Sequence, residues 1–243
     1  MNAFKTADFY EVLGNTGGRL EREGPFLLEA LASAPSRRVV DLACGLGLHA
    51  VFLAEQGAVV DAFDLSPEMV AHARTRRAHP NITYAVGDMC APCGGPYGLA
   101  LCLGNSLSLL ESQEKARQFF KGVHSTLSPG GILLTQTLNY DAPGMKRARV
   151  RVERAAFRGG ELAAVKRFQP REDHTVLSIT YLLVSDNGMI DASEEYALRH
   201  WSAAQLSEWA SQEGFAAEGC FGAYDRRTFQ QDSSDIILLL RRT

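Results

Sequence analysis

The chain has 243 residues, of which 46% are hydrophobic, and a formal net charge of −3 at pH 7. This length and apolar content predict one α/β domain over residues 1–243, and the small negative charge argues against a nucleic acid partner. No apolar run approaches the ~20 residues of a membrane span, and the N-terminus lacks the basic and then apolar pattern of a secretion signal. We therefore expect a cytoplasmic protein with a small-molecule ligand and no membrane partner.

The five cysteines are expected to be thiols, because a reducing location does not favour disulfides. Cys90 and Cys93 form the one C-x-x-C pair of the sequence. With no second pair and no histidine at zinc spacing, this segment predicts a loop and no metal site.

Apolar spacing predicts helices and strands that alternate along the first 138 residues. A helix over 23–33, with Pro25 near its first turn, comes first. The alternating elements that follow are strand 38–42, helix 47–56, strand 58–63, helix 67–78, strand 82–86, strand 98–103, helix 112–127 and strand 131–138. This alternation is typical of a parallel, doubly wound sheet with helices on both faces.

The pattern changes after residue 139. Four successive strands are predicted at 149–157, 161–168, 175–184 and 189–199. A helix from Ser202 to Glu213 and two strands near 218–224 and 234–241 complete the chain. Residues 146–200 are thus predicted to be an antiparallel insertion before the last helix, either a lid or a dimerisation surface, in a monomer or a homodimer.

A glycine turn between the first strand and its helix indicates a nucleoside site. Asp41 lies at the end of the strand, and Gly45 and Gly47 leave room for a ligand against the backbone. The second strand runs into Asp64, about 20 residues beyond the first glycine, where a carboxylate can accept both ribose hydroxyls. Ser66 and Pro67 predict that the next helix starts directly after Asp64.

The same turn also satisfies the pattern G-x-G-x-x-A of dinucleotide-binding folds, at Gly45, Gly47 and Ala50. Asp41 would repel a pyrophosphate and would attract the ammonium group of an amino acid. An NAD-dependent oxidoreductase therefore remains an alternative, but a less favoured one.

The segments Val39-Val-Asp-Leu-Ala-Cys-Gly-Leu-Gly47 and Asp64-Leu-Ser-Pro-Glu-Met69 resemble the first two motifs of class I S-adenosylmethionine-dependent methyltransferases. The resemblance implies a seven-stranded Rossmann-like sheet with a C-terminal antiparallel hairpin. It also implies S-adenosylmethionine as cofactor, S-adenosylhomocysteine as product and in-line methyl transfer to a small molecule. An amine nitrogen is the preferred acceptor, while a hydroxyl oxygen and a cofactor-binding module without catalysis remain open.

The resemblance also implies a set of cofactor contacts. Guanidinium is a bidentate partner for a carboxylate, so Arg19 is expected at the methionyl carboxylate, and Asp88 resembles the acid that contacts adenine in this family. The full set is Arg19, Asp41, Ala43, Gly45, Asp64, Leu65, Met69, Gly87, Asp88, Met89, Leu103 and Ser106.

Four residues are candidates for the acceptor side. Gly104-Asn-Ser106 resembles the Leu-Gly-Asn-Ser of glycine and sarcosine methyltransferases, which places Asn105 there, although Leu109 stands where those enzymes carry a histidine. Tyr10 can cover a sulfonium with its ring, and Tyr140 and His200 are candidate proton acceptors.

Overall fold

The computed structural model describes residues 6–14, 18–157, 159–186 and 188–243, and residues 1–5 of the N-terminus considered above lie outside them. The helices in this part of the chain are α1 (Thr6–Gly14), α2 (Arg19–Ser33), α3 (Leu48–Glu55), α4 (Pro67–Arg76), α5 (Gln113–Thr126) and α6 (Ala203–Gln212). The strands are β1 (Arg38–Leu42), β2 (Val59–Asp64), β3 (Ile82–Val86), β4 (Tyr97–Cys102), β5 (Leu127–Leu138), β6 (Arg149–Phe157), β7 (Gly160–Pro170), β8 (His174–Ser185), β9 (Gly188–Arg199), β10 (Phe215–Phe221) and β11 (Asp235–Arg242).

The main sheet has seven strands in the order β10-β11-β5-β4-β1-β2-β3. Strands β1 to β5 pair in parallel, whereas β11 is antiparallel to both β5 and β10. The predicted Rossmann-like sheet and its C-terminal antiparallel hairpin are confirmed. Parallel strands end at one edge of the sheet, and the loops that follow β1 to β4 meet there.

Each face of this sheet is covered by helices. Phe26 of α2, Leu53 of α3 and Val70 of α4 belong to one buried apolar cluster. Phe119 of α5 and Trp209 of α6 belong to a second buried cluster, which contains the sheet side chains that are absent from the first cluster. The two clusters make the fold doubly wound, as predicted. None of the helices described in the structure is long and apolar enough to cross a membrane.

The insertion sheet, strands β6 to β9, is antiparallel throughout and lies in sequence between β5 and α6, as predicted. Helix α1 packs against it through Phe9 and Leu13, which share a buried cluster with Leu162, Ile179 and Tyr181. The rings of Phe9 and Tyr181 stack with centroids 5.1 Å apart. The insertion sheet therefore has a core of its own, completed by α1.

Three predicted boundaries are wrong, namely the starts of α2, β5 and β10. Helix α2 begins at Arg19 and not at residue 23, so Pro25 lies within it; the ion pairs that Glu23 makes to Arg19 and His49 favour the extra turn over the proline signal. Strand β10 begins at Phe215, three residues before its predicted start, because buried Phe215 follows Gly214 directly into the second cluster. Strand β5 begins at Leu127, four residues before its predicted start, because Leu127 is buried in the second cluster and pairs with Tyr97 of β4. Helix α1 was not predicted.

Gly98 is expected to tolerate no side chain. A Cβ atom added there would lie 2.2 Å from the carbonyl oxygen of Ser36, which is backbone and cannot rotate away. We expect Gly98→Ala to lower the free energy of unfolding by about 1–3 kcal/mol, the usual cost of overpacking, measured by urea denaturation. Gly144→Ala is the matched control, because an added Cβ there meets nothing within 4 Å. Equal stability of the two variants would contradict this packing argument.

Candidate functional site

A cavity of about 930 Å³ opens at the carboxyl edge of β1 to β4. Its wall contains Tyr10, Asn105 and all the residues for which the sequence predicts a cofactor contact, namely Arg19, Asp41, Ala43, Gly45, Asp64, Leu65, Met69, Gly87, Asp88, Met89, Leu103 and Ser106. Helix α1 and the insertion sheet complete the wall. The volume is near the upper end of the range for small-molecule sites, which leaves room for two ligands side by side.

Asp64 shapes the glycine turn at the floor of the cavity. Its two carboxylate oxygens accept hydrogen bonds from the backbone N–H groups of Gly45, at 2.8 Å, and Ser66, at 2.9 Å. Ser66 caps α4 by accepting from the N–H of Met69, which confirms the predicted helix start. Each carboxylate oxygen has a further lone pair, so Asp64 can still accept hydrogen bonds from a ligand.

Asp41 is a buried carboxylate with an unused oxygen. The residue is 1% exposed and belongs to the cavity wall, and its Oδ2 atom has no hydrogen-bond partner among the described residues. Burial raises its pKa to about 6, the neighbouring charge of Asp64 adds to the rise, and the charges of His49 and Arg19 oppose it. A buried acceptor of this kind is suited to a cationic ligand group, which would restore its solvation.

Arg19 is held in place by buried Glu23. The Nε atom of Arg19 donates to Glu23 at 3.0 Å, and His49 Nε2 lies 2.7 Å from the other Glu23 oxygen. Burial would raise the pKa of Glu23, but the hydrogen bond from His49 and the charge of Arg19 together lower it. Glu23 is therefore anionic at neutral pH and fixes Arg19 through Nε, while Arg19 Nη2 lies near Gly104 at the cavity wall.

Helix α1 is attached to α4 beside the cavity. Arg77 donates to both carboxylate oxygens of Glu11, at 2.6 and 2.8 Å, and the N–H of Ala7 donates to Glu68 at 2.8 Å. Bidentate pairing of this type fixes orientation as well as distance. It holds α1 where Tyr10, which is 43% exposed, reaches the cavity wall.

The insertion sheet contributes Leu177 from β8 and Glu194, Tyr196 and Leu198 from β9. The β9 residues alternate along the strand, so their side chains share one face. Tyr181 of β8 donates to a Glu194 oxygen at 3.4 Å. The sheet therefore adds one carboxylate to an otherwise apolar and aromatic part of the wall.

Asn105 lies at the cavity wall, but its side chain makes its hydrogen bonds to other residues of the protein. Its backbone has a positive φ of 69°. Its Oδ1 atom accepts from the N–H of Leu138 and from Ser108, and its Nδ2 atom donates to the Tyr140 hydroxyl at 2.8 Å. Asn105 thus joins the loop after β4 to the end of β5, which is a positioning role.

Tyr140 and His200, two of the predicted catalytic residues, are not part of the cavity wall. Their rings stack with centroids 4.6 Å apart, and His200 Nε2 lies 2.9 Å from the hydroxyl of buried Thr175. Burial lowers the pKa of His200 and raises that of Tyr140. This correction has a simple physical reason: both residues join the insertion to the main sheet, and that junction is packed rather than open.

Sequence reasoning missed Glu194, Tyr196 and the Glu11–Arg77 pair. The alternating pattern of β9 could have placed Glu194 and Tyr196 on one face, but no local signal tells which face turns towards the cavity. The pair between Glu11 and Arg77 joins residues that lie 66 positions apart, and neither belongs to a motif.

Comparison with known proteins agrees with this geometry. Residues 39–131 match the family model of a methyltransferase domain. Glycine N-methyltransferase of Oryctolagus cuniculus is 32% identical over 147 residues, which cover 53% of this chain and 50% of that protein. Residues 39–131 therefore contain a methyltransferase domain, and the chain is similar to class I S-adenosylmethionine-dependent methyltransferases. It spans about half the length of the curated relatives it matches.

Two solved structures show how far this methyltransferase fold extends along the chain. An S-adenosylmethionine-dependent methyltransferase of Clostridium acetobutylicum has a TM-score of 0.83 at 16% identity and covers 98% of this chain and 97% of its own. The sugar N-methyltransferase KedS8 of Streptoalloteichus has a TM-score of 0.80 at 20% identity and covers 100% and 96%. At such identities the likeness concerns the fold, and it includes the insertion sheet.

S-adenosylmethionine is the cofactor of class I methyltransferases, and the residues of the cavity fit it. The molecule carries ribose hydroxyls, two cationic groups and a carboxylate. Asp64 has free lone pairs for hydroxyls, and the unpartnered Asp41 oxygen is suited to a cation. Arg19, fixed by Glu23, is suited to a carboxylate.

Proposed function

We propose that the protein transfers a methyl group from S-adenosylmethionine to the nitrogen of a small-molecule amine. The observation that carries the proposal is the buried Asp41 carboxylate, whose Oδ2 atom has no partner among the described residues, in the same cavity wall as Asp64 and the glycine turn. An uncompensated buried acceptor is destabilising, and such groups are retained where a ligand completes them.

In this proposal, the floor of the cavity holds the cofactor. Asp64 binds the ribose hydroxyls, Asp41 faces the ammonium group, Arg19 binds the carboxylate, and Asp88 lies at the adenine. The Asp88 carboxylate already accepts from the N–H of Cys90 at 2.8 Å, which fixes its orientation. Bound in this way, S-adenosylmethionine would supply an electrophilic methyl group: the lone pair of the neutral amine forms the new bond to carbon, the bond to sulfur breaks, S-adenosylhomocysteine leaves, and the methylated ammonium product can release its proton to water.

The acceptor side has to position a nucleophile and limit access of water. Leu109 and Leu110 come from the segment after β4, and Leu177 and Leu198 come from the insertion sheet. They offer an apolar surface for the body of an acceptor. The insertion sheet acts here as the cover of the cavity. Positioning of this kind accounts for most of what in-line transfer requires, because the methyl group is already activated.

Nitrogen is favoured over oxygen by the placement of the histidines. A hydroxyl acceptor gains most from a base whose pKa lies near the working pH, such as histidine, whereas a neutral amine already presents its lone pair. His200 lies outside the cavity wall. Among the described residues of the wall, the histidine is His49, which is paired with Glu23. The names of glycine N-methyltransferase and of a sugar N-methyltransferase among the similar proteins support the same choice.

Calorimetric titration with S-adenosylhomocysteine, and with NADH as the control, tests the cofactor. We expect binding of S-adenosylhomocysteine with one site per chain and no heat from NADH. Release of S-adenosylhomocysteine from S-adenosylmethionine is then measured with amines and with the alcohols of the same carbon skeleton. Binding of NADH, or faster turnover of the alcohols, would contradict the proposal.

A further inference from the structure

Glu194 is the one acidic residue that the insertion sheet brings to the described part of the cavity wall. It is half-buried, and the Tyr181 hydroxyl donates to its Oε2 atom at 3.4 Å. Among the described residues, no lysine, arginine or histidine lies within ion-pair distance of it. Its charge is therefore not neutralised by a neighbouring cation.

The tyrosines around Glu194 respond to its charge. Burial raises the pKa of both Tyr196 and Tyr181, and the negative charge of Glu194 raises each of them further. These hydroxyls stay protonated at neutral pH and can donate hydrogen bonds. The rings of Tyr196 and Tyr10 belong to the cavity wall, where aromatic faces attract cations.

Two arginines of the described wall already have partners, and the lysine of that wall, Lys115, comes from α5 and not from the insertion sheet. Arg77 is bound by Glu11 and Arg19 by Glu23. The insertion sheet adds no basic residue to the described wall. An acceptor with a carboxylate or phosphate beside its nitrogen would meet the negative charge of Glu194 with no cation of the sheet to offset it, which is unfavourable at short range.

Resting on the function proposed above, we propose that Glu194 selects the acceptor by binding its amino group, and that the acceptor is an apolar or aromatic amine without a carboxylate next to the nitrogen. Tyr10 and Tyr196 flank the amino group, and Leu177 and Leu198 hold the apolar body. Glu194 is a specificity-determining residue that acts on the acceptor and not on the cofactor.

Matched pairs of compounds test this selection, since each pair differs only in a carboxylate. The probes are phenethylamine with phenylalanine, and pentylamine with norleucine. We expect the wild-type protein to methylate the amine of each pair with a kcat/KM at least about tenfold above that of the amino acid. For Glu194→Gln, we expect kcat/KM for the amines to fall by about tenfold to a hundredfold, mainly through KM, because a charged hydrogen-bond partner is lost.

Glu195→Gln is the matched control. Glu195 is the neighbouring residue of β9, is exposed, and accepts from Ser178 on the other face of the insertion sheet. The Glu195→Gln substitution should leave both kcat and KM for the amines unchanged. Affinity for S-adenosylhomocysteine is measured for all three proteins and should not differ.

The outcomes separate the two proposals. Three results would overturn the role of Glu194 alone. They are equal or faster turnover of the amino acids, an unchanged KM in Glu194→Gln, and turnover of neither member of a pair while S-adenosylhomocysteine still binds. Failure of the wild-type protein to bind S-adenosylhomocysteine would overturn the proposed function itself.

Discussion

Replacing Asp41 with asparagine is expected to raise the free energy of unfolding of the cofactor-free protein by up to about 3 kcal/mol at pH 7.5. Burial raises the pKa of this carboxyl from 3.8 to about 6, and each pKa unit corresponds to about 1.4 kcal/mol. The folded state binds this proton more tightly than the unfolded state, so the cost of the buried charge grows as the pH rises from about 4 and is complete above about 6. Asparagine has a similar shape and no charge to bury.

Urea denaturation of both proteins at pH 7.5 and at pH 4.5 measures this effect. The gain in stability should shrink at the lower pH, where most folded wild-type molecules carry a protonated Asp41. A gain that is the same at both pH values, or no gain at all, would show that Asp41 is not a desolvated carboxylate in the folded protein.

The same substitution is expected to weaken cofactor binding by about tenfold to a hundredfold, because a charged hydrogen-bond partner is worth about 1.5–3 kcal/mol. Calorimetric titration with S-adenosylmethionine measures the loss. In the wild-type protein, affinity should also fall as the pH drops below about 6, since protonated Asp41 no longer attracts a cation. A variant that is more stable and binds the cofactor less tightly would mark Asp41 as a functional residue with a cost in stability.

Asp64→Ala is expected to lower affinity for S-adenosylhomocysteine by about 1–3 kcal/mol. The substitution removes the acceptor for the proposed ribose contact. It also leaves the N–H groups of Gly45 and Ser66 without the carboxylate that now orients them. Isothermal titration calorimetry on the purified variant measures the loss.

Asp61→Asn is the control for this result. Asp61 lies on the same strand β2, accepts from the Tyr97 hydroxyl and pairs with Arg38, and is not part of the cavity wall. Its replacement should leave the affinity for S-adenosylhomocysteine unchanged. Equal losses in the two variants would indicate a general weakening of β2 and would contradict a contact at Asp64.

The main sheet could be predicted because its strands are short, apolar and separated by strong turn or cap signals. The glycine turn after β1 and the Ser66-Pro67 start of α4 set the local backbone geometry independently of the rest of the fold. The start of α2 could not be predicted in this way, because it depends on the pairing of Glu23 with His49, which is 26 residues away. Long-range contacts outweigh local preference at such points.

The residues of the site that could be predicted differ from the others in the same way. Residues at the ends of parallel strands, such as Asp41 and Asp64, reach the cavity because topology alone brings strand ends together. Tyr140 and His200 also follow strands, but they pack against each other at the base of the insertion, and the direction of a side chain is not encoded in its position along the chain. Glu194 reaches the cavity only through the way in which the insertion sheet packs on α1.

Helix α1 is shared by two parts of the molecule. Phe9 and Leu13 belong to the core of the insertion sheet, whereas Glu11 is bound to Arg77 at the end of α4, and Tyr10 lies between them at the cavity. A ligand that contacts Tyr10 therefore contacts a helix that both parts hold in place, and by linkage its affinity and the stability of the packing between α1 and the insertion sheet affect each other by the same free energy. Through this helix, the occupancy of the cavity and the packing of the insertion sheet are thermodynamically linked.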